Sequence, residues 1–154
     1  MKVETLAVQD QLVHGYTHKI NITFADLVAL GAVANGTIQA IPLTGNAPVG
    51  TVVRLAKFDL ITPFDFSDAS INSLLVEVGD GTSSARFLAQ TEVAADGTEI
   101  LAAQSALAGA LAVADNIKVK FTAAGGGSPT LGEATVGEIN IYLSVRPGTP
   151  LTRA

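Results

Sequence analysis

The chain lacks cysteine and tryptophan and has few charged residues. Without cysteine it can form neither a disulfide framework nor a thiolate site for metal binding or nucleophilic catalysis. Asp, Glu, Lys and Arg make up 15% of the 154 residues, against about 25% in an average soluble domain. Because a domain of this size exposes many of its residues, so little charge predicts apolar or weakly polar surface that a partner covers.

Long hydrophobic runs are missing as well, although 48% of the residues are apolar. The longest apolar stretches, 27–34 and 106–114, are rich in Ala and Gly and are far shorter than the roughly 20 residues that span a bilayer. The N-terminal segment contains no apolar stretch of signal-peptide length. We therefore expect a soluble protein with no membrane partner, folded as one domain with a substantial core.

Clustered positive charge is also absent from the sequence. The nine basic residues are scattered along the chain, and the net charge is −5. Nucleic-acid binding relies on clustered Lys and Arg, so we expect no nucleic-acid partner. Mild acidity of this kind is typical of ordinary solubility.

What the sequence does contain is short segments in which apolar and polar residues alternate. The first alternating segment has the period-two pattern of a half-buried strand, carried by Tyr16, His18, Ile20, Ile22 and Phe24. We expect further strands, separated by turn residues, at 37–43, 49–62, 74–78, 85–93, 116–122 and 137–146.

Irregular features mark two of these strands. One strand changes phase at Leu55 and Ala56, which predicts a β-bulge or a bend there. Pro63 follows and is expected to end that strand. Pro42 indicates that its own strand lies at a sheet edge or is close to its end.

Seven or eight strands with little helix predict an all-β fold, a single antiparallel β-sandwich, with an eight-stranded jelly roll as the natural candidate. We expect an N-terminal arm at 1–15, the sandwich domain at 16–146 and a C-terminal tail at 147–154. In segment 96–114 the Ala and Leu content favours helix, whereas its two glycines and irregular apolar spacing favour extended or irregular structure with at most a short helix. The predicted core consists of Ile20, Ile22, Val76, Phe87, Val119, Phe121, Ile139, Ile141 and Leu143.

Few residues stand in a pattern that supports chemistry. His14 and His18 are four positions apart, a spacing that would let them chelate a metal if they lay on a helix. The alternation favours a strand, on which the two residues lie roughly 13 Å apart. We therefore expect half-buried or interface histidines. Asp65, Asp68 and Asp80 lie near turns without the spacing of a calcium loop, and we expect them to bond nearby backbone. The sequence also lacks a nucleophile elbow and a phosphate loop. We therefore predict no catalytic, cofactor-binding or metal-binding residue, no cofactor and no enzymatic activity.

Several segments in the second half of the chain carry a family resemblance. They are the run Leu75 to Gly81, followed by Arg86 to Leu88, then Asn116 to Thr122, and the Gly-rich loop that leads to the run Val136 to Leu143. This ordering resembles small virion structural proteins of tailed bacteriophages, in particular the jelly-roll decoration (cement) proteins of capsids. The match extends from about Asn72 to Arg146.

The resemblance implies a mechanical role and a place on the capsid exterior of a virion, for a protein made in the host cytoplasm. It implies binding between major capsid subunits, and self-association as a homotrimer more than as a dimer. The alternative is a fibre, tail or head-fibre adhesion module that binds a host receptor or glycan. Tyr142, on the outer face of the last predicted strand, is the aromatic residue placed to serve that alternative.

Overall fold

In the computed structural model, the chain forms two four-stranded antiparallel sheets that pack face to face. The structure describes residues 1–39, 47–95, 111, 114–126 and 128–146. The predicted all-β antiparallel sandwich is confirmed, and the finer jelly-roll connectivity stays a prediction.

The described residues form eight strands and two short helices, one on either side of the second strand. The strands are β1 (Lys2–Thr5), β2 (His18–Thr23), β3 (Asn35–Gln39), β4 (Val52–Phe66), β5 (Ile71–Gly79), β6 (Leu88–Glu92), β7 (Lys118–Gly125) and β8 (Ala134–Arg146). The helices are α1 (Val8–His14) and α2 (Phe24–Val28), and a 3-10 turn spans Leu131–Glu133. Sheet A has the strand order β1-β2-β8-β4, and sheet B has the order β3-β7-β5-β6.

The core lies between the two sheets and is built from the inward residues of the alternating strands. In sheet A, Ile141 of β8 stands opposite Ile20 of β2 on one side and Phe58 of β4 on the other. In sheet B, Phe121 of β7 stands opposite Val76 of β5. The side chains predicted to form the core are all fully buried: Ile20, Ile22, Val76, Phe87, Val119, Phe121, Ile139, Ile141 and Leu143.

Strand β4 confirms one prediction about irregularity and corrects another. Its register against β8 shifts between Leu55 and Lys57, at the predicted bulge. The expectation that Pro63 ends the strand is wrong, because β4 continues to Phe66. Proline is tolerated there because β4 is an edge strand and its register also shifts on either side of Thr62, so no regular ladder bond is lost.

The end of β4 also connects the two sheets. The Phe64 N–H donates to the Val93 carbonyl at 2.8 Å, and the Ala95 N–H donates to the Phe64 carbonyl at 2.8 Å. Since Val93 follows β6 directly, these bonds tie the edge of sheet A to the edge of sheet B.

The N-terminal boundary differs from the predicted one. Residues 1–15 were expected as an arm outside the sandwich, but β1 pairs with β2 from Lys2↔Asn21 to Thr5↔His18. Val3 of β1 packs against the core, which gives this short strand an apolar anchor. The predicted tail at 147–154, Pro42 and most of segment 96–114 lie outside the described residues.

Gly137 should be irreplaceable even by alanine. Its φ is +140°, and a Cβ there would overlap the ring of Phe64, which is fully buried. We expect Gly137→Ala to lower the free energy of unfolding by about 2–4 kcal/mol, through strain and overpacking, as measured by chemical denaturation. Gly126→Ala is the matched control, because the nearest atom to its new Cβ is the Ser70 Cβ at 3.7 Å. Equal stability of the two variants would show that Phe64 is placed wrongly.

Candidate functional surfaces

Asp80 closes the turn between β5 and β6. Its side chain is almost fully buried, and its Oδ1 accepts hydrogen bonds from the backbone N–H groups of Thr82 at 2.9 Å and Ser83 at 2.8 Å. Its Oδ2 forms an ion pair with the Arg86 guanidinium. The turn-forming role that the sequence predicts for Asp80 is confirmed.

The protonation of Asp80 is set by opposing effects. Burial raises the pKa of the carboxyl group, but the Arg86 guanidinium and the backbone N–H groups of Ser83 and Thr82 outweigh it, so the pKa lies below its ordinary value. The folded state therefore holds Asp80 as a charged acceptor.

Asp65 and Asp68 also have the predicted role. The Asp68 Oδ1 accepts from the Ser70 N–H at 2.9 Å, and this bond lowers the pKa of the Asp68 carboxyl group. The Asp65 Oδ1 accepts from the N–H of Phe66 at 2.8 Å. Asp68 thus stabilises the connection between β4 and β5, and Asp65 stabilises the end of β4.

Two further carboxylates hold distant parts of the chain together, and sequence reasoning did not single them out. Asp115 accepts from the Gly81 N–H at 2.7 Å and from the Asn116 N–H at 2.7 Å, which ties the start of β7 to the β5–β6 turn. Glu92 is buried, and it accepts from the Ser73 hydroxyl at 2.6 Å and the Leu74 N–H at 2.8 Å. No local spacing rule could have found these contacts, since the partners are 34 and 18 or 19 residues apart.

The histidines occupy different elements. His14 ends α1 and His18 begins β2, with the left-handed Gly15 between them. The His18 Nδ1 lies 2.7 Å from the Thr17 hydroxyl, and partial burial lowers the pKa of His18. Within the described ranges, no group of three or more His, Asp or Glu side chains is arranged to hold a metal ion.

The two tyrosines of the chain meet on the outer face of sheet A. The ring centroids of Tyr16 and Tyr142 are 4.6 Å apart at an interplanar angle of 59°, and the Lys57 Nζ lies 5.5 Å from the Tyr142 centroid. Burial and the nearby Asp59 carboxylate raise the pKa of Tyr142, although Lys57 acts in the opposite direction. Tyr142 is therefore a half-buried ring with neighbours on its faces rather than an open platform.

Helix α1 presents its apolar side chains to solvent. Val8, Leu12 and Val13 are 70%, 81% and 76% exposed, and we call them the α1 patch. The Gln11 Nε2 donates to the carbonyl of Leu6, in the segment before the helix, at 2.6 Å. Beside the helix a groove of about 320 Å³ runs toward the end of β8, where Val145 and Arg146 line it.

Helix α2 and the start of β8 present a second apolar group. Phe24, Val28 and Val136 are 39%, 42% and 41% exposed, and we call them the α2 patch. A third group, Leu60 and Ile61, lies on β4 and is likewise exposed. Scattered single apolar side chains are normal on a protein surface, but side chains grouped on the same element favour binding.

Replacing Asp80 by asparagine should cost stability in a pH-dependent way. We expect Asp80→Asn to lower the free energy of unfolding near neutral pH by about 1–3 kcal/mol, because a buried ion pair and its accepted hydrogen bonds are weakened. Since the folded pKa is depressed, the wild-type contribution is present above about pH 4 and is lost as pH falls through the folded pKa. Denaturation across this range should show the difference between the proteins shrinking in acid. The exposed Asp10→Asn is the control, and a constant difference at all pH values would contradict the assignment.

No helix in the described part of the chain is long and apolar enough to cross a membrane. In comparisons with known proteins, no family model, no curated protein and no solved structure matches the chain.

Proposed function

We propose that the protein is a non-enzymatic structural protein of a tailed-phage virion, which decorates the capsid exterior and stabilises it by binding between major capsid subunits. The proposal is supported by the resemblance over residues 72–146 and by the antiparallel sandwich that the described strands form. It is also supported by the low fraction of charged residues, since extensive interfaces favour apolar and weakly polar surface.

The observation that carries the proposal is the presence of several separate apolar groups on one well-packed domain. The α1 patch, the α2 patch and the pair Leu60 and Ile61 lie on different elements of sheet A or beside it. A protein that sits within a repeating lattice contacts more than one neighbour at a time. Repetition over a symmetric shell then multiplies modest contacts through avidity.

The contacts that the buried carboxylates form also support a mechanical role. Asp80 and Glu92 accept hydrogen bonds from the protein's own backbone and side chains, and the Glu77 carboxylate lies 3.7 Å from the Lys120 ammonium. These groups brace turns and neighbouring strands. Bracing of this kind rigidifies a domain that must carry load.

We further propose that the sandwich is a jelly roll. In a jelly roll, eight strands are divided between two sheets by two Greek keys. Sheet A contains the order β2-β8-β4, and sheet B has the order β3-β7-β5-β6. In this arrangement β2 to β6 correspond to the first five strands of a jelly roll, and β7 and β8 correspond to the last two. Strand β1 then adds an edge strand beside β2.

Loss of the protein should weaken the virion without blocking its assembly. Particles that lack it are expected to form and to expand, but to release DNA at a lower temperature and under milder osmotic shock than complete particles. Purified protein added back should restore resistance, because a ligand that binds only the intact lattice stabilises it by mass action. DNA release is measured with an intercalating dye during heating.

The number of copies per virion and the attachment of particles to cells distinguish the decoration role from the adhesion alternative. Hundreds of copies per virion on a denaturing gel are expected for a decoration protein, and a few to a few dozen for a fibre or tail protein. Tyr142→Ala serves as the comparison variant for the adhesion alternative, since it removes one of the two aromatic rings that meet on the outer face of sheet A. If depleted particles are as robust as complete ones but fail to attach to cells, the decoration role is wrong.

A further inference from the structure

The domain that supports α1 leaves the apolar side chains of this helix largely uncovered. An isolated helix of this length is unstable in water, and a surface helix is normally held by burying its apolar side. Here Val8, Gln11 and Leu12 line the groove whose other side is formed by the end of β8 with Arg146. Val8 and Leu12 nevertheless remain 70% and 81% exposed. The α1 patch is therefore a surface that needs a partner.

Helix α2 repeats this arrangement with a smaller exposed area. Leu27 is fully buried and anchors the helix, while Phe24 and Val28, four residues apart on one side, remain partly exposed. Val136 at the start of β8 completes the α2 patch.

The two patches lie at opposite ends of sheet A. Helix α1 precedes β2, and α2 begins directly after Thr23, the last residue of β2. The six residues of β2 span about 20 Å. The two patches are therefore separate places on the surface of one molecule.

The charged residues at the two ends have opposite signs. The exposed Arg54 and Arg146 lie at the α1 end, where Arg54 pairs with Ser144, two residues before Arg146. The exposed Asp65 lies at the α2 end as the register partner of Val136, and two residues later the half-buried Glu138 accepts a hydrogen bond from the Asn21 amide.

The other charged groups near the two ends of sheet A do not reverse the sign of the charge at either end. Asp10 is an acidic residue on α1, whereas at the α2 end Asp26 is paired with the Met1 amino group and Lys2 with Glu4. The arginine pair at one end thus complements the acidic pair at the other.

We infer that copies of this chain associate head to tail, with the α1 patch of one copy bound to the α2 patch of the next. A two-fold dimer through one patch would leave the other exposed, whereas a head-to-tail contact buries both and closes into a ring when the rotation permits. The opposite charges at the two ends favour this orientation over a contact between two identical ends. This association goes beyond the proposed function and needs no capsid.

The test uses one variant for each end and measures molar mass by light scattering after gel filtration. Leu12→Glu places a negative charge in the α1 patch, where it would face the acidic pair of the next copy. Val28→Lys places a positive charge in the α2 patch, where it would face the arginine pair. The wild type is expected at a multiple of 15.7 kDa and each variant alone as a monomer. Mixing the two variants should give a one-to-one dimer, because each keeps the end that the other lacks. Gln90→Glu, an exposed position on β6 in sheet B, is the matched control and should keep the wild-type mass.

Each other outcome overturns the inference. A wild-type monomer at high concentration excludes self-association. Loss of association in only one of the two variants indicates a two-fold contact through that patch. Two monomeric variants that do not combine on mixing exclude the head-to-tail contact. Far-UV circular dichroism and thermal unfolding of each variant verify that it is folded, and Leu12→Gln or Val28→Gln replaces a variant that is not.

Discussion

The pairing of β8 with β2 and β4 is the interaction on which the rest of the structure depends. β8 lies between these two strands in sheet A and places Ile139, Ile141 and Leu143 into the core. Each such side chain contributes about 1.5–3 kcal/mol when it is fully buried. Because β2 is attached to the sandwich through β8, both α1 and α2, which flank β2, take their positions from this pairing.

Carboxylates provide the second set of constraints by joining segments that the sheets alone leave separate. Asp115 binds the β5–β6 turn, and Glu92 binds β5 at Ser73 and Leu74. Asp80 is buried as well and is paired with Arg86. Among the described residues, the buried charged side chains are Glu77, Asp80 and Glu92.

Prediction from the sequence was strongest where a local rule applies. Period-two alternation identified the inward residues of β2, β7 and β8, and the phase change at Leu55 located the bulge in β4. It failed at Pro63, because whether a proline ends a strand depends on which neighbour that strand has. It also missed β1, whose four residues are too few to show a period. The exposed sides of α1 and α2 could not be foreseen, because an apolar residue in a short helix is as readily buried as exposed.

The sequence by itself determined the fold class and the identity of the core, since both follow from the spacing of apolar residues along single strands. It also determined that Asp65, Asp68 and Asp80 bond nearby backbone, because those contacts are local. Only the tertiary structure decided which strands are neighbours, which carboxylates reach across the fold, and which apolar side chains stay uncovered. Each of these depends on contacts between residues far apart in the chain, and no short-range pattern records such contacts.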